Sequence, residues 1–453
     1  MKNDNLYYFE KAPIRKAIAH FSLPMIMGMS MSVVYSILNA YFIGLLKNVE
    51  MIASLTLTLP VFAILMALGN LIGVGGGTYI SRLLGEKNME KIKHISSFSF
   101  YSCILIGLVM MAVSLPFADQ IAHGLGSSDD SFLFTKSYIV IMLIGAPIVI
   151  ANFAMEQTVR AEGAANVSMI GMILSVVINV LLDPLFIFAL DWGVRGAALA
   201  TLLANAASVV YYCRYIAKKS PYLSLSLQKF AVNTEILGNV LKIGIPVFLL
   251  STLLGVQALF FNHFMSIYGD VSIAAYGITS RFQQFPEFII MGLCEGVVPL
   301  IAFCFTADKK RMKSVLKFVV ILVSSLASVF GLIVFAAGNH LIGLFTVDAQ
   351  LIEVGSHIIK ITFLSLFISG FTLLINGIFQ ATGQGKAALV MSIIQGLILI
   401  PTLYVANGYW KFEGVVWSLF VADSICALVA SALLFSIRHK LKPDMDELLE
   451  TTA

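Results

Sequence analysis

Charged residues are scarce in this chain of 453 residues, since Asp, Glu, Lys and Arg together make up only 12% of it. Soluble domains contain about a quarter charged residues. Hydrophobic residues make up 59% of the chain, and its mean hydropathy is +0.92. Because so few polar side chains could not cover a water-facing surface, the composition excludes a soluble globular protein. It predicts an integral membrane protein.

Motifs for metals, redox chemistry and nucleotides are also missing. The 5 cysteines lie in apolar runs without metal or redox spacing, and the 7 histidines are scattered. The stretch 383–386 ends like a phosphate loop but has Gln380 where the first glycine belongs. The glycine-rich stretch 73–77 lies inside an apolar run and predicts close helix packing instead. The sequence therefore predicts no metal site, no cofactor, no ATP hydrolysis and no enzyme activity.

Long apolar runs are abundant. About 20 apolar residues in a helix cross the roughly 30 Å of bilayer hydrocarbon. Backbone polar groups in lipid must be satisfied internally, which favours helices over open sheets. The predicted fold is an all-α integral membrane protein with twelve transmembrane helices. The predicted spans are 17–46, 53–81, 95–117, 133–155, 164–189, 195–217, 236–267, 272–304, 314–337, 352–379, 386–406 and 414–437.

The basic residues predict the orientation. With the N-terminus inside, the cytoplasmic segments hold 23 Lys and Arg residues and the outer loops hold four. Cytoplasmic loops of membrane proteins carry an excess of Lys and Arg. The sequence therefore predicts a multi-pass protein of the cell membrane with both termini in the cytoplasm. This topology explains the basic loops without a nucleic-acid partner.

The chain repeats itself. Pro24 early in span 1 corresponds to Pro246 early in span 7, at an offset of 222, and Gly196 corresponds to Gly414 at an offset of 218. The repeat predicts two pseudo-symmetric six-helix lobes in the same orientation, with a cavity between them that can face either side, which is a transporter architecture. The predicted domains are an N-lobe (1–220), a cytoplasmic linker (221–235), a C-lobe (236–440) and a cytoplasmic tail (441–453).

These landmarks resemble a known family. The two-lobed layout, the early prolines, the Arg-Ala-x-Gly step at 160–163 and its partner Gln-Ala-Thr-Gly-Gln-Gly at 380–385 look like the MATE (multidrug and toxic compound extrusion) family. The stretch 285–303 looks like its MepA-like branch. The resemblance covers essentially the whole chain. It implies export of amphipathic cationic drugs, driven by inward flow of H⁺ or Na⁺.

Polar residues inside the spans are candidates for the function, because each is unfavourable in lipid without a partner or water. Asn179 and Asp183 in span 5 lie four residues apart, on one helix face. They could ligate a hard cation such as Na⁺, or Asp183 could carry a proton. An alternative is that Asp183 only caps a helix broken by Pro184.

Two further pairs have the same spacing, Tyr35 with Asn39 in span 1 and Thr201 with Asn205 in span 6. The resemblance implies an N-lobe cation site that contains Thr201 together with the span-5 pair. Asn39 stands where the family often has Asp, so this site has one charge fewer. We predict a cation-coupling role for Asn39 and Thr201, and contact with substrate for Tyr35 and Asn205.

Span 8 provides a second candidate site. Glu287, Met291 and Glu295 follow one another at intervals of four residues and form a stripe on the helix. A carboxylate beside an adaptable thioether suits a flat, apolar cation. We predict that this stripe binds substrate. The alternative for Glu287 is a structural hydrogen bond to a neighbouring helix.

The sequence thus predicts a secondary active multidrug exporter that works by alternating access. Its predicted partners are cationic small-molecule drugs and the lipid bilayer, and it is predicted to be a monomer without a nucleic-acid partner. Two other functions stay open. A flippase for lipid-linked sugars would need Arg or Lys in its cavity to bind an anionic substrate, and a membrane-embedded transferase would need a His/Asp or paired-carboxylate cluster in an interface loop.

Overall fold

The computed structural model of the protein describes residues 4–46, 48–343, 346 and 348–441. Every regular element in these residues is a helix, which confirms the predicted all-α class. The predicted tail lies outside the described residues except for Leu441. The α-helices are α1 (Asp4–Glu10), α2 (Ile14–Leu45), α3 (Val49–Gly85), α4 (Met89–Ser114), α5 (Ala118–Gly124), α6 (Asp129–Ile144), α7 (Ala146–Ala161), α8 (Ala165–Pro184), α9 (Gly193–Lys218), α10 (Thr234–Ser266), α11 (Asp270–Ala307), α12 (Lys309–Gly343), α13 (Ala349–Ala381), α14 (Gly385–Leu397) and α15 (Leu399–Leu441).

These helices account for the twelve predicted spans. In the described residues, 10 segments are long and apolar enough to cross a membrane, and α6 with α7 forms one further span bent by 58°. Pro147 in the first turn of α7 explains the bend, because proline lacks the amide hydrogen that would continue α6. The segment Gly385–His439 has 55 residues, or roughly 80 Å of helix, which is too long for one crossing. Its backbone leaves the helical conformation at Lys411, so it contains two spans.

The internal repeat is also visible in the backbone. Gly163 follows α7 with a φ of 93°, and Gly383 follows α13 with a φ of 67°. Positive φ favours glycine, which has no Cβ to clash with the backbone. The Arg-Ala-x-Gly step and its partner are therefore the same kind of helix ending in the two halves of the chain.

The described chain forms two compact units. One contains Met27–Phe248, and the other contains Met1–Ile26 together with Leu249–Ala453. We call them the N-unit and the C-unit. The chain passes from one unit to the other inside α2 and inside α10, in each case two residues after the early proline. The first half of α2 therefore belongs to the C-unit, and the first half of α10 belongs to the N-unit. The lobes predicted from the sequence had assigned them the other way round.

Close backbone packing explains this exchange. In the N-unit, a Cβ on Gly75 of α3 would lie 2.2 Å from the carbonyl oxygen of Val240 in α10. In the C-unit, a Cβ on Gly296 of α11 would lie 2.7 Å from the Cα of Ser22 in α2. Only glycine permits these approaches, and dispersion contacts hold the helices together in lipid. The stretch 73–77 is thus a packing element, as its sequence predicted.

The segment that joins the two halves of the chain is fastened to α4 of the N-unit. Phe230 stacks on Phe98, with ring centroids 6.3 Å apart, and Lys229 forms an ion pair with Glu90. Side chains of α4 also bond to the backbone of the segment. These hydrogen bonds join Ser96 to Ser224 (3.1 Å), Ser97 to Ser226 (2.8 Å), Tyr101 to Leu225 (2.8 Å) and His94 to Lys229 (2.7 Å).

Glu162, in the loop after α7, holds the start of this joining segment. Its side chain is buried, and its Oε2 accepts a hydrogen bond of 2.6 Å from the Ser220 hydroxyl. The Ser220 oxygen in turn accepts a hydrogen bond of 2.9 Å from the backbone amide of Leu223. Burial raises the pKa of Glu162 to about 7, although the hydrogen bond from Ser220 opposes this shift.

We expect Glu162→Gln to stabilise the protein at alkaline pH. The unfolded chain loses the Glu162 proton near the ordinary pKa of 4.5, whereas the folded protein keeps it up to about pH 7. The folded state therefore binds the extra proton in this window, and the free energy of unfolding falls as the pH rises through it. The substituted glutamine amide keeps the hydrogen bond without this loss, so at pH 8 the variant should gain up to about 3 kcal/mol.

The measurement is the Tm of both proteins in detergent from pH 4.5 to 8, followed by the fluorescence of the 3 tryptophans. The two Tm values should agree at the acidic end and separate above pH 6. Glu86→Gln, at an exposed loop glutamate of the same unit, should keep the wild-type pH dependence. If the Tm curves of wild type and Glu162→Gln run parallel over this pH range, Glu162 does not have a raised pKa in the folded protein.

Candidate functional site

The first candidate site lies in the N-unit where α8 ends. Asn179 and Asp183 are one turn apart on α8, and both side chains are buried. After Pro184 the backbone continues as a π-helix from Leu185 to Ala189, in which the Leu190 amide bonds to the Leu185 carbonyl. Proline removes the amide hydrogen that would continue the α-helix, and π-turns are frequent at functional sites. Asp183 therefore lies at a break in its helix.

Asn179 connects three helices. Its amide orientation is assigned from the hydrogen-bond network, which places Nδ2 2.6 Å from Oδ2 of Asp183 and 3.2 Å from the Tyr35 hydroxyl. On the other side, its Oδ1 lies 3.1 Å from the hydroxyl of Thr201 in α9. The structure thus brings together four of the residues singled out in the sequence.

Asp183 keeps one oxygen unpaired. In the described part of the chain, its Oδ1 is buried and has no hydrogen-bond partner. Tyr35 and Tyr138 are close enough to interact electrostatically with its carboxylate. A buried polar atom without a partner is unfavourable by about 1–3 kcal/mol. This oxygen is therefore a place in the cluster where a proton or a cation gains by binding.

Asn205 and Asn39 differ in their relation to this cluster. The Asn205 side chain donates to the Thr201 carbonyl at 2.7 Å and accepts from Asn152 of α7 at 2.8 Å. Asn39 is half-buried on α2, one turn beyond Tyr35, and it is not among the hydrogen-bond partners of the Asn179 amide. Span 1 thus contacts the cluster through Tyr35.

The second candidate site lies in the C-unit, on α11. In the most apolar stretch of this helix, 72% of the residues are buried. Glu287 is exposed, and Met291 and Glu295 are half-buried. The helix between them is closely packed, with Ile290, Leu293 and Cys294 all buried. The predicted stripe is therefore the accessible edge of an otherwise buried helix.

A second carboxylate interacts with Glu287. Asp423 of α15 interacts electrostatically with it, and Ser365 of α13 donates a hydrogen bond to Oδ2 of Asp423. Tyr276, three helical turns before Glu287 on α11, also interacts with it. The N-unit cluster is thus one acid among amides and hydroxyls, whereas the C-unit site is a pair of acids. The first arrangement suits a small cation or a proton, and the second suits a cationic ligand.

Several residues of these sites were not predicted from the sequence. They are Tyr138 and Asn152 in the N-unit, and Tyr276 and Ser365 in the C-unit. Asp423 was also not among the predicted site residues, although a signal for it exists. The repeat offset of 218 that relates Gly196 to Gly414 also relates Asn205 to Asp423. The other four residues have no comparable signal in the sequence.

The chain matches known proteins along its whole length. It is 49% identical over 450 residues to the multidrug export protein MepA of Staphylococcus aureus (strain MSSA476), covering 99% of this chain and 100% of that protein. It is 46% identical, with the same coverage, to the protein of the same name in Staphylococcus saprophyticus.

Solved structures share its fold. The crystal structure of MATE in complex with MaD3S aligns with a TM-score of 0.90 at 22% identity, over 97% of this chain and 99% of that one. The outward-facing structure of a multidrug resistance MATE family transporter aligns with a TM-score of 0.88 at 23% identity, over 95% and 98% of the two chains. These matches support the arrangement of twelve helices in two lobes.

The family model for MatE matches this chain twice, at residues 24–185 and 246–405. The two matches begin 222 residues apart, which is the offset of the internal repeat. Each match begins at the early proline of its half. The chain therefore belongs to the MATE family, in its MepA-like branch, as its sequence motifs indicated.

Proposed function

We propose that the protein is a secondary active exporter of amphipathic, mostly cationic drugs, which it exchanges for H⁺ or Na⁺ by alternating access. The relatives with 46–49% identity are named multidrug export proteins. In this proposal the protein is a monomer in the plasma membrane. Both of its termini are in the cytoplasm. Drugs would then leave the cytoplasm through a path that faces each side in turn.

The observation that carries the proposal is the unpaired Oδ1 of buried Asp183. An exchanger needs a group that takes up the coupling ion on one side and releases it on the other, and an intramembrane acid is the usual choice. Oδ2 is held by Asn179, so that the carboxylate keeps its orientation while Oδ1 changes its occupant. The same acid would therefore be charged and uncharged in turn during each cycle.

H⁺ is the coupling ion that we test first. A proton on Oδ1 of Asp183 would leave the hydrogen bonds that Asn179 makes with Asp183, Tyr35 and Thr201 in place. Na⁺ would be held by oxygen ligands, which these side chains also provide. A transport experiment therefore decides between the two ions.

The test is transport in proteoliposomes with proton and sodium gradients imposed separately. We expect uphill movement of ethidium when only the proton gradient is present. Uphill movement with the sodium gradient alone would assign the coupling to Na⁺. Absence of uphill movement with both gradients present would contradict the proposed exchange.

We further expect Asn39→Asp to move the pH optimum of export upward. Asn39 is one turn beyond Tyr35, which contacts Asn179, so an acid there adds negative charge beside Asp183. The added charge makes proton release harder, and the optimum should rise by on the order of one pH unit. The measurement is the initial efflux rate from about pH 5.5 to 8.5.

Ser36→Asp is the matched control for this variant. Ser36 is exposed and is rotated by about 100° from Tyr35 on the same helix. The Ser36→Asp variant adds the same charge to α2 and should leave the pH profile of export unchanged. If the profile of Asn39→Asp also stays unchanged, Asn39 and Asp183 do not communicate.

A further inference from the structure

A cavity of about 670 Å³ lies in the C-unit, where α12 ends and α13 begins. Helix α12 contributes Asn339, and α15 contributes Phe412 and Glu413, which directly follow the break of that helix at Lys411. The rest of the described wall comes from the first turns of α13. Because all these residues lie between 249 and 453, the cavity is contained in one compact unit.

Charged side chains of both signs line this cavity. Glu353, His357 and Lys360 follow one another at intervals of four and three residues, so they share one face of α13. Glu413 reaches this face from α15, because its Oε2 lies 2.8 Å from Nε2 of His357. The described wall of the cavity therefore contains two acids, one lysine and one histidine.

Three polar groups of this wall are available to a ligand. Lys360 forms no ion pair with any described residue. A Cβ on Gly338 of α12 would lie 3.6 Å from Cε of Lys360 and 3.4 Å from Oγ of Ser356, so both side chains pack against the same glycine. The Ser356 hydroxyl is buried without a hydrogen-bond partner in the described part of the chain, which is unfavourable. A carboxylate has about four acceptor sites, so Glu413 can accept further hydrogen bonds beside the one that joins it to His357.

Aromatic side chains mark the level of the cavity in the membrane. Tyr409 and Trp410, directly before the break at Lys411, are 80% and 66% exposed. Tyr and Trp are enriched where the lipid headgroups meet the hydrocarbon. On α12, Leu332 and Phe335 are also exposed shortly before the helix enters the cavity wall, as expected of a surface that faces acyl chains. The cavity therefore lies at the level of the headgroups, next to lipid.

We propose that this cavity binds the headgroup of a phospholipid with a primary ammonium, of the phosphatidylethanolamine type. The Lys360 ammonium binds the phosphate, and the Glu413 carboxylate accepts hydrogen bonds from the lipid ammonium. An anionic headgroup brings negative charge toward two acids, and a choline headgroup has no N–H to donate to Glu413. In the predicted orientation, this lipid belongs to the outer leaflet. The proposal does not depend on the proposed drug export.

The experiment is native mass spectrometry of the detergent-purified protein. Phosphatidylethanolamine, phosphatidylcholine and phosphatidylglycerol with the same acyl chains are added one at a time, and the bound lipids are counted. The first molecule of the ethanolamine lipid should bind about fivefold more tightly than either other lipid, as a partly exposed ion pair provides. Equal affinities of wild type for the ethanolamine and choline lipids would overturn the proposal without any variant.

The soluble headgroup glycerophosphoethanolamine distinguishes a membrane lipid from a free compound. It has the same phosphate and ammonium but no acyl chains to lie along α12. It should therefore displace the bound ethanolamine lipid only at a much higher concentration than that of the lipid. Displacement at equal concentration would show that the cavity takes the free headgroup and would contradict a lipid site.

Two variants assign the preference to this cavity. Glu413→Gln removes the charge that attracts the lipid ammonium, so the affinity for the ethanolamine lipid should fall to that for the choline lipid. Lys360→Gln removes the phosphate contact, so it should weaken both lipids alike, by about threefold or more. Arg281→Gln, at an exposed base on α11 that does not line the cavity, should change neither affinity.

His357→Gln separates the charge of Glu413 from its contact with α13. It removes the imidazole that holds Glu413 but keeps the carboxylate, so the preference for the ethanolamine lipid should persist. Loss of the preference in both His357→Gln and Glu413→Gln would overturn the role of Glu413 as the ammonium-binding group. Should Glu413→Gln fail to fold, unchanged lipid affinities in Lys360→Gln would place the lipid site elsewhere and contradict the proposal.

Discussion

Replacing Asp183 with Asn should abolish uphill drug export. Asn has the shape of Asp and can still accept the hydrogen bond from Asn179, but it neither ionises nor carries a proton. If Asp183 exchanges the coupling ion, the initial rate of export against a drug gradient should fall by about 100-fold or more. Drug affinity should change by less than about threefold, because the residues that we propose to bind the drug are on α11, whereas Asp183 is on α8.

The measurement pairs initial efflux rates in proteoliposomes with dye binding to the purified protein. Asp191→Asn is the matched control, since Asp191 is an exposed acid just after the same helix. It should leave both quantities unchanged. Full uphill export by a normally expressed Asp183→Asn protein would rule out the coupling role and leave Asp183 as a helix cap.

Glu287→Gln should reduce the affinity for charged drugs selectively. A carboxylate attracts a cation and has no such attraction for a neutral molecule of the same shape. Loss of a partly screened ion pair costs about 1–3 kcal/mol, or roughly ten- to a hundred-fold in Kd. The Kd of cationic dyes should rise by this factor, whereas that of their neutral analogues should stay within about threefold.

Binding of both ligand classes to the same preparations is the measurement. Glu353→Gln serves as the control, because it removes an exposed acid of the same unit. An equal loss for charged and neutral ligands would assign Glu287 a structural role. No loss for either class would place the drug site elsewhere in the chain.

Much of the fold was predictable because lipid permits few solutions. Apolar runs long enough to cross the bilayer must be helices, and the repeat at offsets of 218–222 fixed the two halves. The exchange of helix halves was not predictable. It depends on which backbone surfaces meet at Gly75 and Gly296, and a glycine in a sequence does not reveal its partner.

Parts of the candidate sites were predictable, because the spacing of residues within one helix determines which of them share a face. Asn179 and Asp183 share a face because they are four residues apart, and Glu287 and Met291 do so for the same reason. Spacing within one helix does not determine which of two residues faces another helix. Tyr35 and Asn39 share a face of α2, but depth along the helix places Tyr35 beside Asn179. Tyr138 and Asn152 come from other helices, and no spacing in the sequence indicates that they join the N-unit cluster.

The chain passes from one compact unit to the other inside α2 and inside α10. This has a consequence for how the protein folds during its synthesis. The helices of the N-unit emerge from the ribosome and insert before residues 234–248 exist, so its α3 surface stays incomplete until α10 arrives. The start of α2 must wait longer still, until α11 has been made. Neither half of the gene therefore encodes a self-contained folding unit. Halves separated within the joining segment should accumulate only when they are expressed together.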